Sequence, residues 1–145
     1  MDKELDYFLK VKLKITPQNL RLFEQAFVHR SCLNESKRFT QSNERLEFLG
    51  DAILSLIVSQ FLYLKRPQDD EGALTNLRSF IVKTPSLAKV SQKLSLGKLL
   101  KLSKGEELSG GRENTQLLAN TFEAVLGAIY LDKGTHRITF FYSPD

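Results

Sequence analysis

Asn43-Glu44-Arg45-Leu46-Glu47-Phe48-Leu49-Gly50-Asp51-Ala52-Ile53-Leu54 is the stretch on which the fold turns. Leu46, Leu49 and Ile53, continued by Leu56 and Ile57, recur at three- and four-residue steps, the mark of a helix with one face in a core. On the opposite side Glu44, Glu47 and Asp51 stand at i, i+3 and i+7 and share a face. Carboxylates held that close repel one another, and the helix gains nothing from them unless a cation lies between. The segment from Leu117 to Leu131 repeats the design, with Glu123 as its one acid in an otherwise apolar run. Two apolar helices that each present acid are what an oxygen-ligated Mg²⁺ site needs.

Outward from these two segments the helical period continues. Helices are expected near 3–13, 18–31, 43–65, 72–82, 85–94 and 114–132, with a short turn at 98–102. Thr16-Pro17 and Thr84-Pro85 each place a capping hydroxyl before a proline at the first helical position. Ser109-Gly110-Gly111-Arg112 breaks the pattern ahead of the last helix, and few segments alternate with period two. The expected class is therefore all-α, a helical bundle. At 145 residues, without repeats or a Pro/Gly/Ser linker, the chain reads as one domain over 1–134. After Gly134 the run Thr-His-Arg-Ile-Thr-Phe-Phe-Tyr-Ser-Pro-Asp turns β-branched and aromatic, so 135–145 is set apart as a divergent C-terminal tail.

Hydrophobic residues make up 41% and charged residues 26%, the balance of a globular protein. Charges interrupt every apolar run before it reaches the roughly 20 residues of a membrane span, so no membrane partner is expected. The N-terminus, Met-Asp-Lys-Glu-Leu-Asp, has neither the basic nor the apolar region of a signal peptide. Cys32 is the only cysteine, which fits a reducing compartment: a cytoplasmic location, or an organellar one in a eukaryote. The net charge of +4 fits a polyanionic partner. Lys89, Lys93, Lys98, Lys101 and Lys104 concentrate in one stretch, which reads equally as a solvated surface.

The chemistry open to this chain is carboxylate chemistry. His29 and His136 are far apart, Cys32 has no partner of note, and no glycine-rich phosphate loop is present. Mg²⁺ binds through a few carboxylates, several waters and a substrate phosphate, and phosphodiester hydrolysis draws on the charge it supplies. Glu47 and Asp51, one turn apart, are expected on one wall of such a site, with Glu123 and Asn120, at i and i−3, on the other. Each acid has a plainer reading: Glu44 could pair with Lys37 or Arg38 at the surface. Glu123 resists it, because Phe122, Val125, Leu126 and Ile129 leave only a narrow polar strip.

Four motifs in order resemble the ribonuclease III family: Ala26-Phe27-Val28-His29-Arg30-Ser31, the stretch from Asn43 to Leu54, Asp70 to Arg78, and Leu117 to Asp132. The resemblance runs from about 18 to 134. It implies an all-helical homodimeric nuclease that cuts double-stranded RNA with Mg²⁺, or with Mn²⁺ as a substitute, in RNA maturation such as that of rRNA precursors. Carried over to this sequence, it implies that Glu47, Asp51 and Glu123 are metal ligands, with Asp51 and Glu123 central to catalysis. Glu44 and Glu71 match acids that assist substrate or metal positioning. Phe48 matches an aromatic that inserts into the partner subunit, and its plainer reading is a second core contact. Because duplex RNA is read through shape and phosphates, Arg78, Lys83 and the basic stretch around Lys98 are candidate phosphate contacts.

Three departures from the family pattern stand out. Asn120 occupies a position that is usually Asp, which removes one negative charge; a unit-charge pair at about 4 Å is worth up to about 4 kcal/mol at an effective dielectric of about 20. Weaker metal binding is expected from it. The family's usual double-stranded-RNA-binding domain is not expected in this chain, and the last helix is not expected to continue past Gly134. These departures leave an alternative open: a weakened or inactive domain of the same fold that holds RNA or a ribosomal partner without cutting. A helix bundle serving only for dimerisation would leave the acids without a use.

Overall fold

The computed structural model describes residues 2–134. The tail set apart on the sequence, 135–145, lies outside the described residues. Seven α-helices are present among them: α1 (Lys3–Tyr7), α2 (Leu20–Ala26), α3 (Glu44–Lys65), α4 (Glu71–Val82), α5 (Thr84–Lys93), α6 (Lys104–Leu108) and α7 (Thr115–Lys133). No strand appears among the described residues, only an isolated bridge from Val28 to Lys101. The all-α expectation holds.

α7 is the centre of the bundle. Twelve of its residues are buried, among them Leu118, Phe122, Val125, Leu126 and Ile129, which face different sides of the helix. A helix apolar nearly all round belongs inside, with neighbours on each flank. α3 packs along one side of it, α5 along another, and α2 covers its C-terminal part. Asp132 fixes that last contact: its carboxylate accepts from the backbone N–H of Gln18 and of Asn19 at 2.7–3.1 Å, at the start of α2. Phe8, Phe23 and Phe27 close the core at the N-terminal end, Phe8 meeting Phe27 edge-to-face at 5.9 Å.

Two glycines set how closely α3 and α7 approach. A Cβ on Gly50 would run into the backbone carbonyl of Glu123, and one on Gly127 would run into the carbonyl of Leu46. At this crossing the helices meet backbone to backbone, and any side chain would pry them apart. α3 is 22 residues long, and by length and composition alone it could cross a membrane. Here it is the core helix lying along α7, with Leu46, Ile53, Leu54, Val58 and Leu62 buried.

Several expectations are corrected. The helix foreseen over 18–31 is α2 alone and ends at Ala26, because the next residues join other parts of the chain. Lys101 N–H donates to Phe27 O, His29 N–H to Lys101 O, and Asn43 N–H to Val28 O. Pro17 does not open a helix: α2 is capped by Asn19, which accepts from Arg21 N–H. Thr84 is the first residue of α5 and makes no capping bond, although Pro85 does sit in the first turn. Leu56, assigned to the core stripe, is 59% exposed. α6 was not foreseen; Ser103 caps it through a bond from Glu106 N–H.

The glycine crossing leads to a direct expectation. Gly50→Ala should lower the stability of the fold by about 3 kcal/mol or more, since backbone atoms cannot yield as a flexible side chain can. Gly127→Ala should do the same, while Gly72→Ala, on exposed α4, should change little. Urea unfolding followed by circular dichroism measures all three, and equal midpoints for Gly50→Ala and the unaltered chain would refute the close approach.

Candidate active site

The first turn of α3 is pinned before any acid is placed. Asn43 is buried, its Nδ2 donating to Ala26 O at 3.0 Å and its backbone N–H to Val28 O at 2.8 Å. From that anchor Glu44 and Asp51 point to solvent and Glu47 is half-buried. Glu44 accepts a hydrogen bond from Ser42 Oγ at 2.9 Å, and Arg38 pairs instead with Glu24. Neither surface pairing foreseen for Glu44 forms.

Glu123 comes to the same place from α7. It is 8% exposed, and the glycine crossing brings its own carbonyl against Gly50, one residue before Asp51. The two carboxyl groups share a hydrogen bond. Burial, that bond, and the charges of Asp51 and Glu47 together push the Glu123 carboxyl up to about 8. Glu47 is raised as well, by burial first and then by Glu44 and Asp51. Among the described residues no Lys, Arg or His nitrogen lies within ion-pair distance of these three acids. The cluster is thus a pocket of negative charge relieved by a proton.

A divalent cation fits that donor set. Two carboxylates from two helices touch, a third shares their field, and none is neutralised by a basic side chain. Among the described residues no three acidic, His or Cys side chains already close into a cage. The arrangement is a two-carboxylate seat with Glu47 at its rim, suited to an ion that keeps several waters.

The remaining candidates divide. Asn120 lies one turn before Glu123 on α7, half-buried, and its Oδ1 accepts from Gln116 Nε2 at 2.8 Å. Glu71 is exposed in the first turn of α4 and makes no bond to the acid pair. Arg78 is a tether between helices: its Nη1 donates to Ser59 Oγ at 2.9 Å. Lys83 lies 4.0 Å over the ring of Phe80, and Lys98 borders a cleft beside α1. Phe48 is 82% exposed, so its plainer reading as a core contact does not hold. The sequence reading missed Gly50 and Gly127 as placing residues, though a glycine inside each apolar helix was the available signal. Gln116, four residues before Asn120, was also missed.

Fold and site together define an all-helical domain with a paired-carboxylate centre where two helices cross. Comparison with known proteins is consistent with that class. The family model described as Ribonuclease-III-like matches residues 19–143. Ribonuclease 3 of Geobacillus thermodenitrificans is 56% identical over 127 residues, covering 87% of this chain and 52% of that protein. Ribonuclease 3 of Bacillus licheniformis is 49% identical over 142 residues, covering 96% and 57%. The chain belongs to the ribonuclease-III-like family. It spans about half the length of these curated relatives. Among solved structures, the nuclease domain of ribonuclease III from Campylobacter jejuni superposes with a TM-score of 0.85 at 35% identity, covering 97% of this chain and 92% of that one. Dicer from Pichia stipitis gives 0.61 at 29% identity, covering 88% and 55%.

The raised Glu123 carboxyl sets how stability varies with pH. The ordinary value is 4.5 and the folded one about 8, so the folded chain holds this proton more tightly than the unfolded chain does. The stabilisation is complete below about 4.5 and is lost as pH rises through 8. In chelator, the melting temperature should fall across that window, and Glu123→Gln, which cannot ionise, should flatten the fall. A wild-type curve that stays level from pH 5 to pH 8 contradicts the assignment.

Proposed function

We propose that this chain is the cutting domain of a Mg²⁺-dependent endoribonuclease that acts on double-stranded RNA as a homodimer, in RNA maturation. The observation that carries the reading is the contact between Glu123 and Asp51, two acids brought together by the glycine crossing with no basic side chain to balance them. A cluster of that kind repels a polyanion unless a cation stands between. Asp51, Glu123 and the rim residue Glu47 hold the ion, with Mn²⁺ able to substitute, and Asn120 contributes at most a neutral oxygen. The ion, when bound, supplies charge neutralisation on the phosphodiester and a more acidic water. Glu123 must give up its proton on binding, so ion affinity rises with pH. Buried on one side and open through Asp51 on the other, the pair meets the backbone of an RNA lying across α3. Relatives named Ribonuclease 3 support the reaction class. A cytoplasmic site of action, where buried Cys32 stays a thiol, accompanies this reading.

The homodimer rests on the outer surfaces of α3 and α4. Phe48, Leu56, Tyr63 and Leu64 on α3 and Phe80 on α4 are exposed, while Leu74, Leu77 and Ile81 of α4 lean against the core. A rigid helix showing an aromatic to solvent suits an interface anchor. One C. jejuni nuclease-domain structure, at a TM-score of 0.84, concerns flexibility in that protein's region of dimer formation. Two copies related by a twofold axis present two acid pairs to the two strands of a duplex.

One observation bears on a second reading, a domain that holds RNA without cutting it, which relatives named Ribonuclease 3 do not favour. Asn120 replaces an acid, and its oxygen is already engaged by Gln116.

Long duplex RNA incubated with the purified chain should be cut with Mg²⁺ and left whole in chelator. Glu123→Ala should slow cutting by about 100-fold or more. Binding without fragments at saturating Mg²⁺ or Mn²⁺ would establish the second reading in its place. By sedimentation equilibrium, Phe48→Ala should weaken self-association by about tenfold or more; an unchanged dimer constant removes Phe48 from the interface.

A further inference from the structure

A cavity of about 580 Å³ opens beside the N-terminal end of α3, and the acid centre uses none of its groups. Arg21, Glu24 and Gln25 of α2 form one side, and Arg38, Phe39 and Gln41 of the following loop form the other. Its volume falls in the range of small-ligand sites, roughly 300–1,000 Å³. Phe39 also borders the small void under the loop together with Leu5, Phe27 and Leu99. The ring is therefore seated on the core on one side and turned to the cavity on another. The guanidinium of Arg38 lies 5.3 Å from the ring centroid, on a side chain that is 63% exposed and free to move aside.

The polar groups are equally specific. Gln25 Nε2 donates to Gln41 Oε1 at 3.3 Å and to Ser42 O at 3.0 Å, which leaves the Nε2 of Gln41 without an acceptor. Glu24 is matched by Arg38 at 3.5 Å, and Arg21 has no carboxylate within ion-pair distance. Two arginines against one glutamate leave the cavity with a net charge of +1. Ser42, the next residue along, bonds to Glu44, so the cavity adjoins the acid-bearing end of α3.

An aromatic face, amides that can both donate and accept, and arginines for phosphate are the means by which proteins hold an unstacked nucleotide. We propose that this cavity binds one unpaired nucleotide of the RNA strand flanking the duplex. The base stacks on Phe39, its edge is met by Gln41 and Gln25, and its phosphate is held by Arg21 and Arg38. The proposal rests on the reading of the chain as an RNA-cutting domain, and it adds that the substrate is a duplex with a single-stranded flank.

Two measurements on the full chain test it. In the first, kcat/KM with Mg²⁺ is compared for a blunt duplex and for the same duplex with an unpaired four-nucleotide extension on either strand. The extended duplex should be cut about five- to tenfold better. Phe39→Ala and Gln41→Ala should abolish that preference and leave the blunt duplex unaffected. The second needs no cutting: a fluorescent single-stranded tetraribonucleotide, in chelator, should bind the unaltered chain and lose about fivefold or more in affinity with Phe39→Ala. Equal cutting of both duplexes, a preference that survives in the variants, or tetranucleotide binding indifferent to Phe39 overturns the proposal while the nuclease reading stands. Failure of the unaltered chain to cut even the blunt duplex overturns the nuclease reading, and this proposal falls with it. Gln41 is exposed in a loop, so loss confined to Phe39→Ala together with a lowered melting temperature counts against a binding role.

Discussion

The contact of α3 with α7 through Gly50 and Gly127 is the constraint on which the acid centre depends. Neither glycine carries chemistry. Their lack of a side chain lets the backbone of Leu46 and Gly50 approach that of Glu123 and Gly127, and this closeness lets a short aspartate on one helix reach a glutamate on the other. With ordinary helix spacing the same acids would sit on two faces separated by a layer of side chains. Asn43 adds the second coordinate: by bonding to Ala26 and Val28 it fixes where α3 begins, and so which turn of α3 meets the crossing.

That placement is unfavourable for the isolated fold. A carboxyl buried beside another carboxyl costs free energy whenever both are charged, and Glu123 relieves the cost by keeping its proton to about pH 8. Elsewhere the chain treats its buried acid differently. Asp132, equally buried, is surrounded by two backbone N–H donors and has Lys133 at 3.5 Å. One acid is satisfied from within and ties two helices together. The other is left needing something from outside, and groups in that state concentrate at functional sites.

Much of this was legible in the residue order because it is local. The helical period around Leu46, the registry of Glu44, Glu47 and Asp51, and the isolation of Glu123 among apolar neighbours are set within two or three turns. The exposure of Phe48 follows from the same wheel. What escaped depends on partners distant in the chain. The end of α2 is decided by Lys101, more than seventy residues on, whose backbone takes the bond that a further helical turn would have used. Leu56 lies on the Phe48 and Tyr63 side of α3, turned away from Leu54 and Val58, and is exposed with them. The charge of Arg78 is visible in the sequence, whereas the hydroxyl it donates to, Ser59 Oγ, lies nineteen residues earlier and on another helix.

Asn120 shows how the centre balances its charges. An acid at that position would add a fourth negative group to a cluster where burial, and then Asp51 and Glu47, already keep Glu123 protonated near neutral pH. The ion would then be held more strongly, but the proton it must displace would be held more strongly too, so part of the gain would be lost to that competition. With a neutral amide there, Glu123 would give up its proton to an ion more readily than beside a further acid. Gln116 completes the exchange: by donating to Asn120 Oδ1 it orients an amide that no longer has a charge to orient it. For an ion at the proposed seat, a neutral Asn120 would thus mean weaker binding and easier loading, with the pair of Asp51 and Glu123 unchanged.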